Sequence, residues 1–290
     1  AVTMQPHEGC EAKSKAGYAF RLSKPRIVIP VFPGSGSEND VRRAFEAGGG
    51  NCTLVNVRNL NGHLIARSFR ELAAAIKTAQ IVFIPGGFSG GDEPDGPAKF
   101  ISAVLTNAYV REAIEELLGC RDGLLAGIGN GFQGLINTGL LPFGEYREKT
   151  EESPTLTKND VGEHVSRMIN TRIISTKSPW MSRFKVGDVY TMPVSHSYGK
   201  FYCTDSELLS YIRNGQIAAQ YTDKYGNSGM DIEINPNGSI GGIEALTSPD
   251  GKILGKMAHS ERMFGENLYK NMPKSENQNI FKAGIDYFKG

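Results

Sequence analysis

Short, nearly continuous apolar runs alternate with amphipathic stretches through the first half of the chain. RIVIPVF (26–32), CTLVNV (52–57), IVFIPGG (81–87) and GLLAGIG (123–129) have the length and apolar content of buried strands. Between them, ENDVRRAFEAG after Ser37, SFRELAAAIKTA (68–79) and AYVREAIEELLG (108–119) carry apolar residues at helical spacing, as at Val41, Ala44 and Phe45. Strands that are apolar on both faces and alternate with helices predict an α/β fold, a mostly parallel sheet with helices on both faces.

From about residue 150 the pattern changes to a β-rich portion. TRIIST (171–176), VYTMPVSH (189–196) and QIAAQYTD (216–223) read as strands between Asn, Gly and Pro turns. NPNGS (235–239) and SPDG (248–251) bracket GIEAL, and the second turn joins it to KILGKMAH as a hairpin. NIFKAGIDYFKG, with Ile280, Phe281, Ile285 and Phe288, suits a docking helix. Residues 1–24 are polar and aperiodic and read as a linker or tail, leaving 25–290 as the folded unit.

Composition narrows the function. Lys and Arg total 32 against 31 Asp and Glu, so no net field recruits nucleic acid or an anionic membrane. Cys10, Cys52, Cys120 and Cys203 have no short spacing, which argues against a disulfide framework and against a zinc site. No apolar run reaches the ~20 residues of a membrane span, and the first residues lack a signal-peptide core, so a cytoplasmic protein is expected.

In a parallel sheet, sites form at the carboxyl ends of strands. Those ends carry the glycine-rich segments Pro33–Ser37, Gly86–Gly91 and Gly127–Gly131. GIGNGF (127–132) nearly matches G-x-G-x-x-G, but Phe132 replaces the third glycine and no strand with a terminal acid follows, so dinucleotide binding is disfavoured. Two readings of LLAGIGNGFQ (124–133) remain: a tight turn with glycines for backbone freedom, or a nucleophile elbow with Gly129 at the nucleophile position.

His259 and Glu261, two residues apart on a run that reads as a strand, would share a face, where the carboxylate can orient the imidazole. In isolation such a pair is more often an exposed strand end. PGGFSGGD (85–92) could aim backbone N–H groups at an anion. Its acids do not have calcium-loop spacing, and His7, His63 and His164 lie in polar contexts without an evident role.

Taken together, PGGFSGGD, G-x-x-N-G-F-Q and H-S-E-R resemble the triad (class I) glutamine amidotransferases, in particular the glutaminase domain of phosphoribosylformylglycinamidine synthase. The likeness runs from VFPGSGSEND through GIGNGFQGLINTGLLPFGE to the closing hairpin, over about residues 26 to 290. It implies a flavodoxin-like, class I amidotransferase fold. It also implies a reaction in which a cysteine attacks glutamine to give a glutamyl thioester and ammonia, which a synthase domain or subunit uses in purine biosynthesis. No cofactor is implied here, and ATP and Mg are expected only in the synthase region.

By position, the resemblance makes His259 the base, Glu261 its orienter, the N–H groups of Gly87 and Asn130 the oxyanion hole, and Gln133 and His196 substrate-pocket residues. The family's cysteine falls at Gly129, where there is no side chain to react. Ser197, Tyr198 and Lys200 in SHSYGKF, and Gly36 and Ser37 in the opening loop, are further departures. Cys120, nine residues earlier, should lie at the far end of the strand. Three readings follow: an amidotransferase with its glutaminase centre disabled, a pseudo-amidotransferase acting as scaffold or ligand sensor, or an enzyme that activates water through His259 and Glu261.

Overall fold

The computed structural model describes residues 22–93, 96–263 and 277–289. The tail expected over 1–24 therefore falls almost wholly outside the described residues, as do His7 and Cys10. At its near end the Leu22 N–H donates to Phe288 O at 3.2 Å.

The elements follow in the order β1 (Arg26–Val31), α1 (Glu38–Ala47), β2 (Asn51–Asn56), α2 (Gly62–Ile76), β3 (Ile81–Ile84), α3 (Lys99–Leu105), α4 (Ala108–Gly119), β4 (Leu124–Ile128), α5 (Asn130–Asn137) and the short turn α6 (Leu140–Phe143). They continue with β5 (Thr155–Thr157), β6 (Val165–Ile173), β7 (Val189–His196), β8 (Lys200–Tyr202), α7 (Asp205–Arg213), β9 (Ile217–Thr222), β10 (Ile243–Thr247), β11 (Ile253–Lys256) and α8 (Ile280–Lys289). Most boundaries lie within a few residues of those the periodicity predicts. α2 begins at Gly62 rather than 68, because the Asn61 side chain accepts the Leu64 N–H and starts the helix early. β6 begins at Val165 rather than 171, its polar outer residues having hidden it.

One nine-stranded sheet runs β2-β1-β3-β4-β11-β10-β9-β6-β7. From β2 to β11 neighbouring strands are parallel, and from β11 to β7 they are antiparallel. The β-rich portion thus extends the α/β sheet instead of forming a layer of its own. β5 and β8 form a separate antiparallel pair.

Alternation along the parallel strands sends apolar side chains into cores on both faces. Ile27, Ile29, Ile81, Phe83, Leu124 and Ala126 pack with α1 and α8 on one side, while Val28, Val82, Ile84 and Leu125 pack with α2, α3, α4 and α5 on the other. Phe83 meets Phe45 of α1 edge-on, with ring centroids 5.3 Å apart, and Phe281 of α8 at the same separation. Such pairs add about 0.5–1.5 kcal/mol each beyond area burial. They anchor the expected docking helix.

The hairpin is formed as predicted, with Ala245 opposite Lys256 and Thr247 opposite Leu254. Its second strand does not end at the antiparallel partner. β11 also pairs in parallel with β4, Lys256 beside Ile128, so the chain leaves both strands at the same edge of the sheet. That shared edge positions the site.

Candidate active site

The loops after β1, β3 and β4 meet at this edge. Gly36 N–H donates to Gly86 O at 3.0 Å and Phe88 N–H to Gly34 O at 2.8 Å, zipping the first loop to the second. Gly87 sits at the crossing with φ 152°, and a Cβ there would lie 2.3 Å from Gly34 O. Only glycine fits this approach. Ser37 precedes α1 without capping it; its Oγ accepts the Gly86 N–H at 2.9 Å instead.

Gly129 links β4 to α5 with φ 55° and ψ −112°, a sharp turn that side-chain-bearing residues rarely adopt. Its N–H donates to Lys256 O at 2.9 Å, which ties the turn to the end of β11. A Cβ at this position would lie 3.3 Å from His259 Cε1 and 3.6 Å from His259 Nε2. The glycine therefore occupies an elbow whose outward direction faces an imidazole.

His259 and Glu261 meet as the resemblance implies, but not on a strand. β11 stops at Lys256, and Ser260–Met263 form a 3-10 turn. The ladder ends because the Glu244 side chain takes the Ala258 N–H at 2.9 Å and the His259 N–H turns to Pro193 O of β7 at 2.9 Å. The tight turn brings His259 Nδ1 to 2.6 Å from Glu261 Oε1, with both residues buried. Burial pushes the Glu261 carboxyl up, but the His259 imidazole and its hydrogen bond outweigh this and hold the carboxyl below its usual range.

A small cleft opens beside this pair. Gly87, Gly129, Asn130, Gln133, His196 and His259 all line it, and Glu261 lies behind His259. Among the described residues the Gly87 N–H has no partner, and Asn130 is the first residue of α5, where helix N–H groups are free. The Asn130 side chain is committed elsewhere: Oδ1 accepts from Ser89 N–H at 2.9 Å and Ser89 Oγ at 2.6 Å, and Nδ2 donates to Gln133 Oε1 at 2.8 Å. Gln133 Nε2 donates in turn to Tyr198 O at 2.5 Å. The Gln133 amide is thus spent within the protein.

His196 is held from behind by Asn159. The Asn159 Nδ2 donates to Glu163 O and His196 O, which leaves Oδ1 to accept from Gly199 N–H at 3.0 Å and from His196 Nδ1 at 3.1 Å. The proton therefore sits on Nδ1. Nε2 is buried without a hydrogen-bond partner among the described residues. Burial first, then the nearby His259 and His164, push the His196 imidazole down to about 3, so it is neutral.

His164, to which the sequence gives no role, stands beside the cleft: its Nε2 lies 3.0 Å from Ser195 Oγ and its Nδ1 3.2 Å from Ser197 Oγ, and both serines line the cleft. Phe88, Asp92, Met257 and Arg262 complete the lining. Tyr198 Oη donates to Glu93 Oε1 across the rim. Only strand register, Val165 opposite His196, could have placed His164 there.

Among the described residues no cysteine reaches the elbow. Cys120 follows α4, at the opposite end of β4 from Gly129. Burial pushes the thiols of Cys52 and Cys203 up to about 12. No group of three or more His, Cys, Asp or Glu side chains suited to a metal occurs among the described residues. Likewise, no described helix is long and apolar enough to cross a membrane.

Known proteins bear on this site. The model of the CobB/CobQ-like glutamine amidotransferase domain matches residues 24–288. The phosphoribosylformylglycinamidine synthase subunit PurQ of Thermomicrobium roseum is 29% identical over 239 residues, covering 82% of this chain and 88% of that protein. The PurQ subunit of Salinibacter ruber is 30% identical over 237 residues, covering 82% and 87%. In fold, the chain is similar to PurLQS from Thermotoga maritima, with TM-score 0.65 at 22% identity over 91% of this chain and 99% of that one. It is similar also to the glutaminase domain of Trypanosoma brucei CTPS, with TM-score 0.51 at 14% identity over 91% and 94%. The chain therefore belongs to the CobB/CobQ-like glutamine amidotransferase family, as a class I domain related to the PurQ glutaminases.

Proposed function

We propose that residues 25–290 are the glutaminase unit of a phosphoribosylformylglycinamidine synthase in which glycine occupies the nucleophile position, so that the unit no longer hydrolyses glutamine unaided. One observation carries the reading: a Cβ at Gly129 would lie 3.3 Å from His259 Cε1 and 3.6 Å from its Nε2, so a side chain there would meet the imidazole. In the corresponding active chemistry, a residue-129 thiol gives its proton to His259, and the thiolate so formed attacks the glutamine side-chain carbonyl. Glu261 stabilises the imidazolium, and the Gly87 and Asn130 N–H groups bind the oxyanion. His259 then protonates the departing ammonia, and water releases glutamate from the thioester.

Without the thiol, the remaining groups can still bind glutamine and polarise its carbonyl, which leaves only the weak catalysis of the oxyanion hole and binding. The neutral His196 Nε2 offers an acceptor to a donor group of the ligand. An ammonia-accepting synthase domain or subunit, carrying ATP and Mg, is the partner, and the cytoplasm is the compartment. Ammonia release from glutamine by the Gly129→Cys protein tests the assignment.

A second reading, a pseudo-amidotransferase that senses a ligand or serves as a scaffold, draws on a different observation. Gln133 is engaged by Tyr198, and Tyr198 by Glu93, so the replaced SHSYGKF segment is tied across the cleft rim. Titration with glutamine separates a ligand-binding site from a closed one.

A further inference from the structure

Beneath the turn that carries His259 and Glu261 lies a buried charged cluster that the glutaminase chemistry does not use. Lys256, the last residue of β11, is 1% exposed, and Glu244 on β10 is 0% exposed. Lys256 Nζ donates to Ser260 Oγ at 2.8 Å and to Gln278 Oε1 at 2.7 Å, and it lies 3.4 Å from Glu244 Oε1. That same carboxylate oxygen accepts the Ala258 N–H at 2.9 Å. Met192 of β7 closes the cluster, its Sδ 3.5 Å from Nζ.

Burying an ion pair is a poor route to stability, since an apolar pair of similar volume is often as stable or more so. The pair here is arranged around one residue. Glu244 holds the backbone at 258, Lys256 holds the side chain at 260, and His259 stands between them. Burial pushes the Lys256 amine down, and the nearby Glu244 and Glu261 oppose this, so two buried carboxylates share one buried amine behind the His259 turn.

We propose that Lys256 and Glu244 are positioning residues, a clamp on both sides of His259 that keeps the His259–Glu261 contact formed and aimed at residue 129. The inference rests on reading that pair as base and orienter. Among the described residues, the charged and titratable groups around His259 are Glu261 and Arg262 on its own turn, His196 on β7, Asp92 in the cleft with His164 beside it, and Lys256 and Glu244 behind it.

The test is imidazole-nitrogen NMR of the full chain, with the His259 resonances assigned by their loss in His259→Gln. Lys256→Met leaves Glu244 buried and unpaired, so a loss of stability there proves only burial cost. Glu244→Ala/Lys256→Met removes both charges and should recover that stability. A clamp predicts that the stable double variant still weakens the His259–Glu261 contact, seen as loss of the downfield, carboxylate-bonded Nδ1–H signal and mixing of the two imidazole tautomers. Ser260→Ala, a milder change that keeps both Lys256 and Glu244, should weaken the same signal by less.

In the Gly129→Cys background, the double variant should lower kcat about tenfold with little change in KM. An unchanged Nδ1–H signal in both the double variant and Ser260→Ala would overturn the clamp. A silent Gly129→Cys protein would instead count against the glutaminase reading, because the NMR signal reads the clamp without turnover.

Discussion

His259 Nδ1 lies 2.6 Å from Glu261 Oε1, and this buried contact decides which imidazole nitrogen faces Gly129. With the proton held on Nδ1 by the carboxylate, Nε2 is the free acceptor. The elbow, in turn, is tied to the same strand end through Gly129 N–H and Lys256 O. Gly129 and His259 thus follow the ends of one pair of parallel strands, β4 and β11.

A side chain at residue 129 must adopt φ 55° and ψ −112°, which glycine accepts freely. Its Cβ would also sit 3.3 Å from His259 Cε1, close enough that the ring must give slightly. Gly129→Cys is therefore expected to lower stability by about 1–3 kcal/mol, the usual cost of such backbone strain. Denaturant unfolding of the two proteins checks this, and equal stabilities would show that the elbow is unstrained.

His196 makes stability pH-dependent. Its imidazole is neutral in the fold, with a pKa of about 3, against 6.5 when free. The unfolded chain binds the extra proton between those values, so the contribution is complete above 6.5 and is lost as pH falls. The slope is about 1.4 kcal/mol per pH unit, or about 2 kcal/mol between pH 6.5 and 5. His196→Asn should flatten that part of the stability curve; an unaltered slope would place the titration elsewhere.

Asn130 joins three segments, the Ser89 loop, α5 and, through Gln133, the Tyr198 segment. Replacing it with alanine leaves the buried Ser89 donors and Gln133 Oε1 without their partner, at about 1–3 kcal/mol. In the Gly129→Cys background, Asn130→Ala should also raise KM for glutamine, because the loop that carries Gly87 is released. Steady-state kinetics with an unchanged KM would separate Asn130 from the pocket.

Much of the fold was legible because buried parallel strands are apolar on both faces and helices announce themselves by spacing; Ala108–Gly119 matches its predicted span. α7 was missed although Thr204 and Glu207 form a capping box, with the Thr204 side chain accepting the Glu207 N–H and Glu207 reaching back. The short polar span DSELLSYIR masked that signal. At the site, motif order pointed to residues that do line one cleft, apart from the buried Glu261. The 3-10 turn was not legible, because it depends on the Glu244 carboxylate and on Pro193 O, both supplied by distant strands. His164 and the Lys256–Glu244 pair stayed hidden for the same reason: their meaning lies in register.

The most direct test of the central claim is ammonia release from glutamine, measured side by side for the Gly129 protein and for Gly129→Cys. The predicted result is no release above buffer with glycine, and turnover with cysteine that is lost again in Gly129→Cys/His259→Ala. A folded, glutamine-binding Gly129→Cys protein that stays silent would contradict the account, as would a Gly129 protein that hydrolyses glutamine through His259.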